Sequence, residues 1–417
     1  MHESATMGRS KAGAGLRGWL VVALSFAALS LVFASRASLG LMMPVWEHDP
    51  GWSRTFVSTV SATALILMGL GSPLAGNLVD RHGPRLAYSG ALLLVGLAIL
   101  ATAQASTPWL LLVAFGIAGG VGNGGMSMPL VSAAVAGHFE RRRGLATGIA
   151  LAGGSGGQLL VMPVLGVLLS TVGWRSTYLV FGAMILILAP LAWLLFRRPA
   201  PHTPPALTVI GDGFLDRLRG LGGDRVFLLL LGCFFLCGLT TTGVVDVHFL
   251  PYAASCGFPL VESTLAYGVL GVGNLLGLIL FGWLADKTHA PFLLAAMFAL
   301  RASLFLVLMN VAGDLPLLIA FAAVFGLINY ATLPVVANIV ANTIGVRIMG
   351  LTLGLLFGGH SLGAAAGAFL GGYLYDMFAK YDFVWVAALG LALLASALAL
   401  MIGGPTATRR RAAPAAA

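Results

Sequence analysis

Charged side chains are rare in this chain of 417 residues: Asp, Glu, Lys and Arg together make up 9%, against about 25% in soluble globular proteins. Hydrophobic residues reach 59% and mean hydropathy is +0.97. No soluble fold of this size has interior enough to hide so much apolar side chain, so a water-soluble globular domain is excluded and the solvent is lipid. Cysteine is scarce too. Cys233, Cys237 and Cys256 are the three in the chain, the first two one helical turn apart in one apolar stretch. They are too few to ligate a metal, so a small packing role is expected and no metal. Acidic residues number 14 against 23 basic ones, giving a net charge of +9. The basic residues stand in short segments between apolar runs, without an aromatic-interleaved patch, so nucleic acid is not an expected partner. No HExxH metal motif is present, and none of the 56 glycines builds a phosphate-cradling loop after a strand. An enzyme is therefore not expected, nor any cofactor.

Long apolar runs are what the chain does have. A run of about 20 residues crosses a bilayer core of about 30 Å. Runs of that size, broken by Gly, Pro or charge, predict twelve helices over 18–45, 55–76, 86–105, 108–136, 144–170, 175–196, 225–254, 262–284, 291–312, 315–343, 348–373 and 383–403. The expected fold class is an all-α membrane protein. Arg9, Lys11 and Arg17 precede a first run too long for a signal peptide, which is read as a retained span. The boundaries follow: a disordered tail 1–16, a first six-helix bundle 17–196, a cytoplasmic linker 197–224, a second bundle 225–403 and a disordered tail 404–417. With the amino terminus inside, 18 of the 23 Lys and Arg fall in inner segments and 3 in outer ones, while Arg36 and Arg301 lie within spans. That asymmetry predicts a multi-pass protein of the cytoplasmic (inner) membrane with both termini cytoplasmic.

The two halves repeat. An offset of 206 residues carries Gly71, Gly76, Asp80 and Arg81 onto Gly277, Gly282, Asp286 and Lys287, and Gly144, Gly148, Gly153 and Gly157 onto Gly350, Gly354, Gly359 and Gly363. Two parallel six-helix halves joined by a basic linker form the architecture of major facilitator transporters. The stretch GNLVDRHGPR from Gly76 resembles the signature loop of that superfamily, with Gly76, Leu78, Asp80, Gly83 and Arg85 at its fixed positions and Arg81 beside Asp80. The second copy, from Gly282, keeps Asp286 and Lys287 but lacks the later Gly and Arg. The resemblance implies a gating latch that forms when the inner side is shut. RRGLATGIALAGGSGG from Arg142, GWR at Gly173, GWSR at Gly51, HFLPY from His248 and FGGHSLG from Phe357 are similar to the bacterial branch related to monocarboxylate and oxalate–formate transporters.

Charge deep in a span costs about 2.5–3.5 kcal/mol even on a lenient scale, so it needs a partner or a purpose. Arg36, Asp246 and Arg301 are the full charges there, joined by His248 and His360. In the fold implied by the resemblance, spans one, four, seven and ten line the substrate path and span eleven borders it. Arg36 is then a candidate anion ligand, with an ion pair to Asp246 as the structural alternative. His360 stands where oxalate-transporting relatives carry an anion-binding lysine, and it is both a binding and a proton-coupling candidate. Asp246 is a candidate for the coupling proton, His248 for cargo or for gate packing, and Arg301 either for coupling or for a bond to backbone carbonyls. Asn123, Asn274 and Tyr330 are weaker binding candidates, equally suited to bridging helices. The relatives' arginine on span eight falls at Leu278 and their tyrosine on span four at Met128, so the usual carboxylate contacts are not intact. The expectation is a secondary transporter of a small organic anion, monomeric and coupled to protons. The alternative is proton-driven efflux of a drug-like compound.

Overall fold

The computed structural model describes the backbone of residues 2–82, 84–126, 131, 135, 143–196, 219–345 and 349–402, with side chains over 16–71, 84–126, 131, 135, 146–196, 219–345 and 351–402. Everything regular among the described residues is helix. The first helix, α1, runs His2–His48. Its polar lead-in, expected to be unstructured, has helical backbone, since extending an existing helix avoids the cost of a new nucleus. Then follow α2 Arg54–His82, α3 Pro84–Ala103 and α4 Pro108–Gly125.

One continuous helical stretch, Ala146–Leu195, is 50 residues long. At 1.5 Å per residue it would measure about 75 Å, more than twice the bilayer core. Gly173, at φ 77° and ψ 168°, breaks it. A side chain would disfavour that backbone, and glycine takes it freely. The stretch is two helices, α5 over 143–172 and α6 over 174–195. The rest are α7 Arg225–Ser255, α8 Leu260–Lys287, α9 Ala290–Leu308, α10 Leu315–Thr343, α11 Met349–Phe378 and α12 Asp382–Ile402. Among the described residues eleven stretches are thus long and apolar enough to span; the glycine break makes them twelve helices.

Polar caps begin several of them. Asp224 accepts from Phe227 N at the start of α7, Asp314 from Leu317 N at α10, and Thr107 from Leu110 N at α4. Three helices widen to π-helical turns, at Leu112–Gly119 in α4, Gly157–Val161 in α5 and Leu239–Val245 in α7, a distortion frequent at functional sites.

Contacts divide the chain into two compact units. The first takes Met1–Trp52, Thr63–His202 and Ser263–Gly271; the second takes Ser53–Ala62, Thr203–Glu262 and Val272–Ala417. Each half of the sequence therefore gives up the opening turns of one helix, α2 or α8. Inside the units the repeat maps contact onto contact. A Cβ at Gly71 would lie 3.2 Å from Val121 O, and a Cβ at Gly277 would strike Leu327 O. Both members of that pair shift by the same 206 residues. Gly157 abuts Ser30 O of α1, and Gly363, 206 residues on, abuts Phe235 O of α7, one residue short of the exact offset. Small residues let these backbones touch.

The candidate cargo and coupling residues

Arg36 sits half-buried on α1. Its Nη1 lies 3.1 Å from Met68 Sδ on α2, and its guanidinium stands 4.7 Å above the Phe33 ring. Neither partner is acidic, so among the described residues no side chain neutralises it. Next to it on the helix, Ser35 Oγ lies 3.3 Å from Asn123 Oδ1, while Asn123 Nδ2 donates to Gly119 O at 2.8 Å. Asn123 thus bridges α4 to the turn of α1 that carries Arg36.

In the second unit Arg301 is fully buried. Nη2 donates to Ile328 O at 3.2 Å and Nη1 to Cys237 Sγ at 3.2 Å. Phe298 and Phe325 lie 5.1 and 5.8 Å from its guanidinium carbon. The carbonyl bond is one that sequence reasoning allowed; the thiol is not. Cys237, expected to be a packing residue, also meets Thr332 Oγ1 at 3.8 Å, and its neighbour Gly238 abuts the backbone of His360. His360 is half-buried on α11, its ring edge-on to Phe234 at 6.0 Å. Spacing within one helix says nothing about neighbours on α7, α9, α10 and α11, which is why this cluster was missed.

His248 is a strut. It is fully buried, packed against Gly371, with Nε2 3.0 Å from Ala368 O and Nδ1 3.4 Å from the Tyr381 hydroxyl. A carbonyl only accepts, so Nε2 carries the hydrogen and Nδ1 accepts from Tyr381. Tyr381 in turn accepts from Arg54 Nη1 at 2.9 Å. The Arg54 guanidinium lies flat over Tyr375 at 3.6 Å, and Asp376 Oδ2 accepts from Thr55 N at 2.8 Å. The opening turn of α2 is thereby tied to the end of α11, and the Arg54 of the GWSR stretch, counted only as a loop charge from the sequence, is 5% exposed. Asp246 and Asn274 are buried, and Tyr330 is half-buried. Pro251 does not unwind α7, which stays helical to Ser255.

Of the gating motif, Gly76, Asp80 and Arg81 lie on the helical backbone of α2, their side chains outside the described residues, as Gly83 is altogether. Arg85 stands 4.0 Å over the Trp193 ring of α6. In the second copy, Asp286 accepts from Asn338 Nδ2 of α10 at 3.1 Å. Met128 and the tail 404–417 also fall outside the described residues.

The family model described as Major Facilitator Superfamily matches residues 25–327 and 272–417. The chain is 30% identical over 378 residues to monocarboxylate transporter 11 of Homo sapiens, covering 86% of this chain and 77% of that protein. It is 25% identical to the uncharacterized MFS-type transporter YcxA of Bacillus subtilis (strain 168), with 86% and 88% covered. Among solved structures, a bacterial homolog of the human lysosomal transporter Spinster, inward-facing and unoccupied, superposes with a TM-score of 0.75 at 18% identity over 96% of this chain and 99% of that one. With twelve helices, a repeat that maps contact onto contact and a family model matched through both halves, this chain is a multi-pass membrane transporter, not an enzyme, and belongs to the major facilitator superfamily.

Proposed function

We propose that the protein carries a small organic anion, a monocarboxylate in the first instance, by alternating access in symport with a proton. The observation that carries this reading is the company Arg36 keeps. A permanent cation in a span is held by a thioether and a phenyl ring rather than by a carboxylate. An incoming carboxylate supplies the missing counter-charge. The names of the relatives favour that cargo class.

Electrostatics favours the proton. Moving one uncompensated charge across the membrane is worth about 2.3 kcal/mol per 100 mV, so an anion entering alone against an inside-negative potential is opposed by that amount. One proton per anion removes the penalty. His360 on α11, and Asp246 directly after the π-helical turn of α7, are the positions from which coupling would operate. The basic asymmetry supports cytoplasmic termini in an inner membrane, and the internal repeat supports bundles at 17–196 and 225–403; a monomer is the working unit of this proposal.

The test is uptake into proteoliposomes of a labelled panel of mono- and dicarboxylates under an imposed inward proton gradient. Wild-type protein should accumulate a carboxylate and stop when a protonophore is added. Arg36→Ala should lose at least about 50-fold of that flux, the equivalent of a charge-assisted contact of about 2–3 kcal/mol, while Arg36→Lys keeps part of it. An unchanged flux in Arg36→Ala removes the arginine from the mechanism. A wild-type protein that moves no carboxylate of the panel overturns the anion reading.

A further inference from the structure

Arg301 is the most isolated full charge in the described structure. It is 0% exposed, near the middle of α9: counting about 1.5 Å per residue from Ala290 puts it about 16 Å along the helix. From the first residues of their helices, Cys237 on α7 and His360 on α11 come out at about 18 and 16 Å. The three lie at one depth. Arginine is always protonated and has five N–H donors to place. Here Nη2 meets a carbonyl and Nη1 meets Cys237 Sγ, and Nε has no partner. Its ring neighbours, Phe298 and Phe325, are neutral. Among the described residues Cys237 Sγ is thus the one group in contact with Arg301 that can carry negative charge. A second observation marks the same turns as polar ground. Asn329, adjacent to the Ile328 that accepts from Arg301, is 2% exposed with both side-chain polar atoms unpartnered. Buried polar groups left so in a native fold call for water, an ion or a moving proton.

We infer that Cys237 is a thiolate in the resting protein, the counter-ion of Arg301, and that it is the exchangeable proton site of the second unit, loaded through His360. The physical case is a comparison of two states. With Sγ protonated, a guanidinium sits unpaired in a low-dielectric bundle, which is strongly disfavoured. With Sγ ionised, the two charges form a contact pair 3.2 Å apart, accepted by a polarizable sulfur. His360 connects the pair outward. Its backbone stands against Gly238, one residue from the thiol, and it is half-buried, whereas Cys237 is 2% exposed. Gly238 makes this possible, because its bare Cα abuts the His360 backbone and brings α7 and α11 together one residue from the thiol. The titratable and charged groups facing Cys237 are therefore Arg301 from α9 and His360 from α11, with Thr332 of α10 as a neutral neighbour and Cys233 one turn back on α7.

The proton balance is simple. Imidazolium at His360 gives its proton to Sγ, leaving neutral imidazole and a thiol, and the cluster goes from zero to one net positive charge per proton taken up. A positive cluster favours an anion, and by reciprocity a bound anion favours the proton. The inference deepens the proton-coupled reading, and only its transport consequence rests on that reading.

A spectroscopic arm tests it without cargo. In the Cys233→Ala, Cys256→Ala protein Cys237 is the remaining thiol, since the chain has three cysteines. Infrared difference spectra should show no S–H stretching band at neutral pH and its appearance on acidification. An S–H band present and unchanged from mildly acid to alkaline pH overturns the inference, whatever the protein transports. The transport arm uses Cys237→Ser, whose hydroxyl does not ionise. Expected is a loss of stimulation by a pH gradient, with downhill flux retained and a half-maximal cargo concentration that no longer varies with pH. Full gradient-driven accumulation in Cys237→Ser also overturns it. Carboxylate flux failing in the wild type while the S–H band titrates would sink the anion reading and leave the thiolate standing.

Discussion

Arg175 Nη1 reaches the carbonyls of Ala103 and Ala105, and Arg17 reaches those of Leu194 and Leu195. Both arginines satisfy the orphan acceptors at the ends of α3 and α6, where a cation is favoured by the helix dipole. The GWR stretch therefore owes its arginine to a helix end. Arg36 and Arg301 look alike in the sequence, as charges within spans, and Arg54 reads as a loop charge; the structure separates all three by partner: a thioether, a sulfur of Cys237 and a tyrosine hydroxyl. Residue identity exposed the costly charges, but partner identity depends on which helices touch, and that is not written in any single run. Glycine is more legible. The offset that pairs Gly71 with Gly277 already marks a position where size is limited, and the structure supplies the reason in Leu327 O. Gly277→Ala should therefore lose about 1–3 kcal/mol, the range for forcing atoms into a packed site, and lower the melting temperature in detergent. Gly354→Ala, whose added Cβ would meet nothing within 4 Å, should melt at or slightly above wild type, because alanine favours the helix. Equal melting of the two variants would refute the close-packing role of Gly277.

At the scale of elements, the ties between α2 and α11 are the most specific. Asp376 lends a carboxylate to the first turn of α2, an N-cap supplied from another helix, and Gly372 leaves room for Ser58 and the Arg54 carbonyl. Around it, Arg54, Tyr375, Tyr381 and His248 form a ladder from α2 to α7. In an alternating-access cycle this end must part. Removing one charge-assisted contact at a helix N-terminus costs about 1 kcal/mol, which is about fivefold in an opening equilibrium. A cysteine placed at Ser58, buried in the closed arrangement, in a protein lacking Cys233, Cys237 and Cys256, should be labelled by an impermeant maleimide about fivefold faster when Asp376→Ala is added. A labelling rate that Asp376→Ala leaves unchanged would show that the carboxylate does not hold this end shut. The helices themselves were readable from apolar length, and ten of the twelve have their membrane-spanning run within a few residues of its predicted place. Runs 108–136 and 144–170 are described only in part. What length could not show is the π-helical widening of α4, α5 and α7, because an extra residue in a turn leaves no mark in hydropathy.

For the whole molecule, the decisive signal is the placing of 23 basic residues rather than their number. Lys and Arg resist translocation in short loops, so an asymmetry of 18 to 3 predicts a direction for every helix at once. The same asymmetry predicts that the α3–α4 turn lies outside and the α8–α9 turn inside. Ser106 and Thr288 are exposed in those two turns, and each can be replaced by cysteine in a cysteine-free background without touching a bundle interior. In intact cells an impermeant maleimide should label Ser106→Cys directly. Thr288→Cys should react only after the membrane is opened. The opposite pattern would invert the topology and with it the assignment of the Arg54–Asp376 end to the outer face. Labelling of both positions from one side would mean an even number of crossings between them, against the five predicted by counting α4 to α8, and would break the twelve-helix reading itself. The break at Gly173 carries that count: without it α5 and α6 would be one crossing, and residues 106 and 288 would share a side.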